Sequence, residues 1–156
     1  MKLRWLFLSA LVVLVVIPTT SLAVNYLNYI NGTRSKIVWE RTGGFMGLNE
    51  KLIISADGSI LYLSNHFNDT EGVITKAEFE DLLNKAEFFT TDRYYTVKPN
   101  AADYFAYKLT VETTSSTKTI EWVDAWASEE TLPPELVEIQ DQILSIIESI
   151  HQEAKA

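Results

Sequence analysis

Apolar-rich runs separated by turn residues follow residue 34, and this pattern predicts strands. Lys36 to Arg41 is a β-type run. Asn49 to Ala56 and Ser59 to Ser64 are apolar-rich runs on either side of Asp57-Gly58, which is a strong signal for a hairpin turn. The polar residues that follow, Asn65 to Gly72, predict an exposed loop.

A second pair of strands is predicted further along the chain. Asp103 to Thr113 alternates clearly, and Lys118 to Asp124 repeats the alternation after a Ser/Thr-rich turn at 114–117. Two strands joined by so short a turn are expected to pair as a hairpin. The residues expected to face the core are Phe105, Tyr107, Leu109, Val111, Ile120 and Trp122.

Two segments have helical periodicity. Thr75 and Glu78 form a capping box at the start of the first, which should end near Phe88. Pro133 and Pro134 suit the first turn of the second helix. The apolar residues at helical spacing are Phe79, Leu82, Leu83 and Ala86 in the first helix and Leu136, Ile139, Ile143, Ile147 and Ile150 in the second.

The order of these elements is strand, hairpin, helix, hairpin, helix, which is typical of the α+β class. We expect an antiparallel sheet of four to five strands with both helices packed on one of its faces. We expect a hydrophobic helix at the N-terminus to precede this domain. The predicted division of the chain is therefore residues 1–34 and residues 35–156.

The N-terminal 34 residues have the composition of an export or membrane segment. Lys2 and Arg4 precede an apolar run from Trp5 to Val24, and no charged residue follows before Arg34. Two interpretations remain open, which are a signal peptide cleaved near Ala23 and an uncleaved signal anchor of about 20 residues. In both, the charge bias predicts that the domain lies outside the membrane, either anchored or secreted.

The composition of the domain excludes several functions. Residues 35–156 hold ten basic and 21 acidic residues, a formal charge of −11, so nucleic acid is not an expected partner. The chain has no cysteine and only two histidines, His66 and His151, neither of which has a neighbour at ligand spacing. We therefore expect no metal site, no cofactor and no catalytic residues, and hence no enzymatic activity. Asn31 and Asn68 lie in short glycosylation patterns that carry little weight.

One short segment concentrates glycine. Three of the six glycines in the chain lie between Thr42 and Leu48, directly after the first predicted strand. They suggest positive φ angles or close backbone contacts at the strand end, and two interpretations follow. The apolar pair within the segment either packs into the core or is presented for binding. The candidate partner-binding residues are Gly43, Gly44, Phe45, Met46 and Gly47.

Several other aromatic residues fall outside the predicted core stripes or at their ends. They are expected to be exposed and, together with Phe45, to support a protein-binding surface, since Tyr and Trp are favoured contact residues. These residues are Tyr94, Tyr95, Tyr104 and Trp126.

Three motifs in this order resemble the emfourin family, small proteinaceous inhibitors of protealysin and other thermolysin-like metallopeptidases. They are Arg41 to Gly47, Asp103 to Tyr107 and Ile120 to Asp124, and Glu87-Phe88-Phe89 matches the family's helix end. The resemblance covers about residues 36 to 150, and its most specific part is the glycine segment. It implies a single α+β domain that binds a protease, without identifying the contact residues.

Two functional hypotheses follow. The first is an extracytoplasmic protein that inhibits a thermolysin-like metallopeptidase, with Phe45 and Met46 as apolar anchors. The second is a membrane-tethered domain that recognises another surface protein and has no protease target. The expected partner is a protein in both cases, and the membrane is a further partner if the N-terminal segment is retained.

Overall fold

A computed structural model describes residues 35–89 and 93–154. Arg34–Ala156 forms a compact unit of its own. The predictions made for residues 1–34, including the N-terminal helix and Asn31, lie outside the described residues. Within the described residues no helix is long and apolar enough to cross a membrane.

Seven strands form one sheet, in the order β4-β3-β2-β1-β6-β7-β5. The first six strands in this order pair antiparallel, whereas the two-residue β5 joins β7 in parallel. The α+β class is thus confirmed. The strands are β1 (Lys36–Gly43), β2 (Leu48–Ser55), β3 (Ser59–Ser64), β4 (Thr70–Val73), β5 (Arg93–Tyr94), β6 (Phe105–Glu112) and β7 (Thr117–Val123).

The prediction of four to five strands was too low, because β4 and β5 were not foreseen. Strand β4 begins within the polar stretch 65–72, which was predicted to be loop throughout. Its four residues show no apolar alternation, but they pair with β3 and so satisfy the backbone groups along that strand's outer side. Gly72 suits this position, since a Cβ there would lie 2.4 Å from a side-chain carbon of Ile150 in the last helix.

Both predicted helices are present, as α1 (Lys76–Glu87) and α2 (Pro134–Glu153). The capping box of α1 is complete: the Glu78 N–H donates to Thr75 Oγ1 over 3.2 Å, and the Thr75 N–H donates to Glu78 Oε2 over 2.8 Å. These reciprocal bonds satisfy two backbone donors at the helix start. Helix α2 begins after Pro133, which makes no side-chain capping bond.

One hydrophobic core joins both helices to a single face of the sheet. Trp39 lies at its centre, opposite Leu52 of β2 and Leu109 of β6. These three side chains are almost fully buried, and the apolar stripes of α1 and α2 belong to the same cluster. The prediction that the helices pack on one face is confirmed.

The opposite face of the sheet carries ion pairs. Lys51 Nζ lies 3.2 Å from Glu40, and Lys108 Nζ lies 3.7 Å from Glu121. All four side chains are partly exposed, so these pairs contribute little to stability. The helices and the core therefore stand on one side of the sheet, and a charged surface stands on the other.

Candidate functional site

The glycine segment forms the turn between β1 and β2. Gly43, Gly44 and Gly47 all have positive φ angles, at 112°, 66° and 62°. The Gly47 N–H donates to the Gly44 carbonyl over 3.0 Å, which closes the turn. The Gly44 N–H donates to the Tyr104 carbonyl over 2.9 Å and so ties the turn to the start of β6.

Close contacts explain why the first two of these positions need glycine. A Cβ on Gly43 would lie 2.5 Å from the Tyr104 carbonyl oxygen, which belongs to the backbone and has little freedom to move. A Cβ on Gly44 would lie 2.6 Å from the Phe105 ring. Both predicted reasons for glycine, positive φ and close approach, therefore apply together.

The apolar pair at the centre of the turn points into solvent. Phe45 is 91% exposed and Met46 is 70% exposed. The interpretation in which Phe45 packs into the core is therefore wrong, because a core side chain would be almost fully buried. Phe45 and Met46 are presented at the surface.

A second loop, residues 65–69 between β3 and β4, lies against this turn. The Asn65 side-chain amide donates to the Gly47 carbonyl over 3.0 Å, and His66 Nε2 lies 3.0 Å from the Met46 carbonyl oxygen. Phe67 follows and is 56% exposed. We did not predict Phe67 at this site, although a lone phenylalanine in a polar stretch was an available signal.

The two loops enclose an apolar pocket of about 360 Å³. It is lined by the turn, by His66 and Phe67, and by Arg41, Leu48 and Phe105 from the adjoining strands. We call Phe45, Met46 and Phe67 together the tip surface. Exposed apolar groups gathered at one place are typical of a surface that binds another molecule.

We call the turn between β1 and β2, residues 43–48, the tip. A buried polar network lies at its base, and we did not predict this network from the sequence. The Glu50 side chain is 2% exposed. It accepts from Arg41 Nε over 2.6 Å and from the Tyr62 hydroxyl over 2.5 Å, so its charge is both paired and hydrogen-bonded. The Arg41 guanidinium also lies 5.1 Å from the centre of the Phe105 ring. The ends of β1, β2 and β3 are thereby fixed to one another.

The surroundings of this network affect the Tyr62 hydroxyl. Burial raises the pKa of Tyr62 above its usual 10, and the hydrogen bond to the Glu50 carboxylate raises it further. A neutral phenol is the form that donates this hydrogen bond. Tyr62 therefore remains a donor to Glu50 over the ordinary pH range.

The other predicted surface residues have mixed outcomes. Trp126 is 55% exposed, as expected, and Tyr104 is half-buried. Tyr95 was expected to be exposed but is buried, because backbone bonds from the Glu129 N–H to the Thr96 carbonyl and from the Lys98 N–H to the Ala127 carbonyl hold its segment in place. Asn68 lies exposed in the second loop, and the Tyr94 side chain lies outside the described residues.

Among residues 35–89 and 93–154, no group of three or more His, Cys, Asp or Glu side chains is placed to hold a metal ion. The described part of the chain instead combines a largely antiparallel sheet with an exposed apolar tip. It therefore belongs to the class of small α+β domains and carries a candidate binding surface.

A comparison with known protein families found a match over part of the chain. The sequence model of the Emfourin family matches residues 74–144, which supports membership of the chain in the emfourin family. The resemblance carried by the sequence motifs is thus confirmed, and the family consists of metallopeptidase inhibitors rather than enzymes. No match was found among curated proteins.

The matched range runs from the start of α1 into α2 and is narrower than the resemblance over residues 36 to 150. It includes the Phe88-Phe89 helix end and the motifs in β6 and β7. It leaves out β1 to β4 and the tip surface. The binding role of Gly43 to Gly47 accordingly stays a prediction.

Proposed function

We propose that this chain is an extracytoplasmic inhibitor of a thermolysin-like metallopeptidase and that it binds its target through the tip surface. The exposure of Phe45 and Met46 on a tightly fixed turn is the observation that carries the proposal. The match to a family of metallopeptidase inhibitors supports the choice of a metallopeptidase as the target.

The energetics favour a binding role for these side chains. An aromatic side chain buries roughly 150–250 Å² when it is covered, and each Å² of apolar surface removed from water contributes roughly 25 cal/mol. In the free domain Phe45 contributes almost none of this to folding, since it is 91% exposed. A partner that covers the tip surface gains this free energy on association.

The tip surface supplies an anchor rather than a whole interface. Stable interfaces bury roughly 800 Å² on each partner, which is more than three side chains provide. We propose that neighbouring polar residues form the rest, as in interfaces with an apolar centre and a polar rim. The acidic charge of the domain favours encounter with a partner whose rim is basic.

The apolar run from Trp5 to Val24 supports a location outside the cytoplasm. We propose that the domain faces outward, on an anchor or after cleavage near Ala23. Mass spectrometry of the mature N-terminus distinguishes these two forms. A chain that begins at residue 1 and fractionates with membranes supports the anchor, and one that begins near residue 24 supports secretion.

Titration of residues 34–156 against a thermolysin-like metallopeptidase tests the proposal. Hydrolysis of a fluorogenic peptide should fall in proportion to added domain until the enzyme is saturated. Heat-denatured domain serves as the control, because it supplies the same peptide bonds as competing substrate without the folded tip. Undiminished hydrolysis at a large molar excess of folded domain would contradict the proposal.

The second hypothesis, a membrane-tethered recognition domain without a protease target, is favoured by the same apolar run and by the exposed Trp126. Affinity capture from a native membrane extract separates the two. Recovery of a non-peptidase surface protein that is lost with Phe45→Ala supports recognition. Recovery of metallopeptidases alone supports inhibition.

A further inference from the structure

The backbone of the tip is held from outside by two consecutive residues of the second loop. The Asn65 amide N–H donates to the Gly47 carbonyl over 3.0 Å, and His66 Nε2 lies 3.0 Å from the Met46 carbonyl oxygen. The Met46 carbonyl belongs to the second residue of the exposed pair Phe45-Met46, and the Gly47 carbonyl follows it directly in the chain. Side chains 18 and 20 residues away therefore fix the backbone that presents this pair.

Two backbone hydrogen bonds also restrain the turn residues 44–47. They run from the Gly47 N–H to the Gly44 carbonyl and from the Gly44 N–H to the Tyr104 carbonyl. Three of its residues are glycines, which lose more conformational freedom on ordering than any other residue. A turn that was mobile before binding would pay this entropy on association, whereas a turn already held in place would not.

The second loop is itself well fixed, so it can serve as a support. Ser64 Oγ accepts from the His66 N–H over 3.2 Å and from the Phe67 N–H over 3.3 Å. The Asn65 N–H donates to the Asn49 carbonyl over 3.1 Å, beside the start of β2. These bonds connect the loop to two strands of the sheet.

Asn65 uses both ends of its amide. Its Oδ1 accepts from the Asn49 N–H over 2.8 Å, while its Nδ2 donates to the Gly47 carbonyl. A carboxylate in its place would keep the acceptor and lose the donor. The arrangement therefore requires an amide.

We infer that Asn65 is a positioning residue that preorganises the tip surface for its partner and that His66 assists it. This inference rests on the proposed function for the identity of the partner. It goes further because it assigns the preorganised conformation of the turn to a residue that does not itself need to contact the target. The rigidity of the turn is also measurable without a partner.

Limited proteolysis of the full chain in mild detergent measures that rigidity. Chymotrypsin cleaves after phenylalanine, and the bond after Phe45 is accessible only when the turn can adapt to the protease. Removing one neutral hydrogen bond changes an equilibrium about fivefold. We expect Asn65→Ala and Asn65→Asp each to raise the rate of cleavage at this bond about fivefold or more, as followed by mass spectrometry.

Asn68→Ala is the matched control, because Asn68 is an exposed asparagine of the same loop whose carbonyl accepts from the Thr70 hydroxyl at the start of β4 rather than from the turn. Its cleavage rate should equal that of the wild type. Asn65→Asp isolates the donor to Gly47, since it keeps the acceptor for Asn49. Thermal unfolding of every variant shows whether it is folded. If an Asn65 variant is unfolded, His66→Ala takes its place in the cleavage experiment.

The inhibition constant provides the second readout. Asn65→Ala should weaken inhibition of the metallopeptidase about fivefold while its melting temperature stays near that of the wild type. Unchanged cleavage, or faster cleavage with unchanged inhibition, would overturn the positioning role. If the wild-type chain inhibits no such peptidase and cleavage is still faster in the variants, the proposed function fails while the support of the turn by Asn65 stands.

Discussion

The two ends of β2 carry two glycine turns that solve different problems. At one end the Asp57-Gly58 turn joins β2 to β3, and at the other the tip joins β1 to β2. Both use glycines with positive φ, at 86° for Gly58 and 62° for Gly47. Only one of them places large apolar side chains in solvent.

The Asp57-Gly58 turn is part of the packed fold. Gly58 is buried, and its carbonyl accepts from the Ile74 N–H over 2.9 Å just before α1. Asp57 Oδ1 accepts from the backbone N–H and the hydroxyl of Ser59, over 3.0 and 2.7 Å. The exposed part of this turn is thus polar and its glycine serves the contact with the helix start.

The tip places Phe45 and Met46 where folding gains little from them. A turn that only reverses the direction of the chain can be formed by polar residues and glycine, as the Asp57-Gly58 turn shows. Glycine thus marks where the backbone is constrained, whereas the exposure of the neighbouring side chains indicates whether the constraint serves folding or binding. Four predictions test this division, in decreasing order of magnitude.

The largest effect is expected at the base of the tip. Replacing Glu50 by alanine leaves the Arg41 guanidinium without its carboxylate and the Tyr62 hydroxyl without its acceptor, which should cost about 3–5 kcal/mol of unfolding free energy. Urea unfolding measures this cost. Glu40→Ala, which breaks the exposed pair with Lys51, is the control and should cost less than about 1 kcal/mol. Equal costs would mean that burial of the network contributes nothing.

The second prediction concerns the tip itself. Phe45→Ala should weaken binding of the target by about 2–4 kcal/mol, as expected for a central aromatic anchor. Its unfolding free energy should change by less than about 0.5 kcal/mol, because the side chain is 91% exposed. Calorimetric titration and urea unfolding give the two numbers.

Val73→Ala is the matched control for apolar exposure. Val73 is 76% exposed and pairs with Ser59, next to the other turn of β2. It should leave both affinity and stability nearly unchanged. A loss of stability in Phe45→Ala with unchanged affinity would reverse the roles assigned to the two ends.

The third prediction compares the glycines directly. Gly58→Ala combines a positive φ with a Cβ only 2.3 Å from the Ile74 carbonyl oxygen, and it should destabilise the domain by about 2–3 kcal/mol. Gly47→Ala also has positive φ, but nothing lies within 4 Å of its Cβ, so about 1 kcal/mol is expected. Thermal unfolding of both variants measures the difference. Equal losses would show that contact with the helix start has no part in the role of Gly58.

The features that could be predicted from the sequence are those whose interactions are local. The capping box joins Thr75 to Glu78, and the Asp57 turn joins residues two apart, so each leaves its signature in a few letters. The positive φ angles at Gly43 and Gly44 were foreseen for the same reason. The alternation of β6 was enough to place Leu109 in the core.

The features that were missed depend on contacts between distant segments. Asn65 meets Gly47 across 18 residues, and nothing in the polar stretch around Asn65 indicates which turn it supports. Tyr95 is buried because its segment pairs with residues more than 30 positions away. Strand β4 likewise depends on pairing with β3 rather than on its own composition. The tip surface was therefore only partly predictable, with Phe45 and Met46 found and Phe67 missed.

The smallest predicted effect is a pH dependence confined to one of the two turns. The hydrogen bonds from the Ser59 backbone and side chain lower the pKa of Asp57 below its usual 3.8. A lowered folded-state pKa means that the stabilisation is fully present above the unfolded value of about 4 and is lost as the pH falls through the folded value. The tip has no carboxylate between Gly43 and Leu48 and gains nothing comparable.

A comparison of the wild type with Asp57→Asn isolates the pH-dependent stabilisation that the Asp57 carboxylate provides. Asparagine keeps the side-chain oxygen that accepts from Ser59 but does not titrate in this range. The difference in unfolding free energy between the two proteins should be constant from pH 7 to about pH 5 and should shift against the wild type below about pH 4. Urea unfolding at each pH measures it, and all other carboxylates cancel in the difference. A difference that does not vary with pH would show that the Asp57 charge has no part in holding this turn, which would leave the burial of Gly58 and the exposure of Phe45 and Met46 as the features that distinguish the two turns.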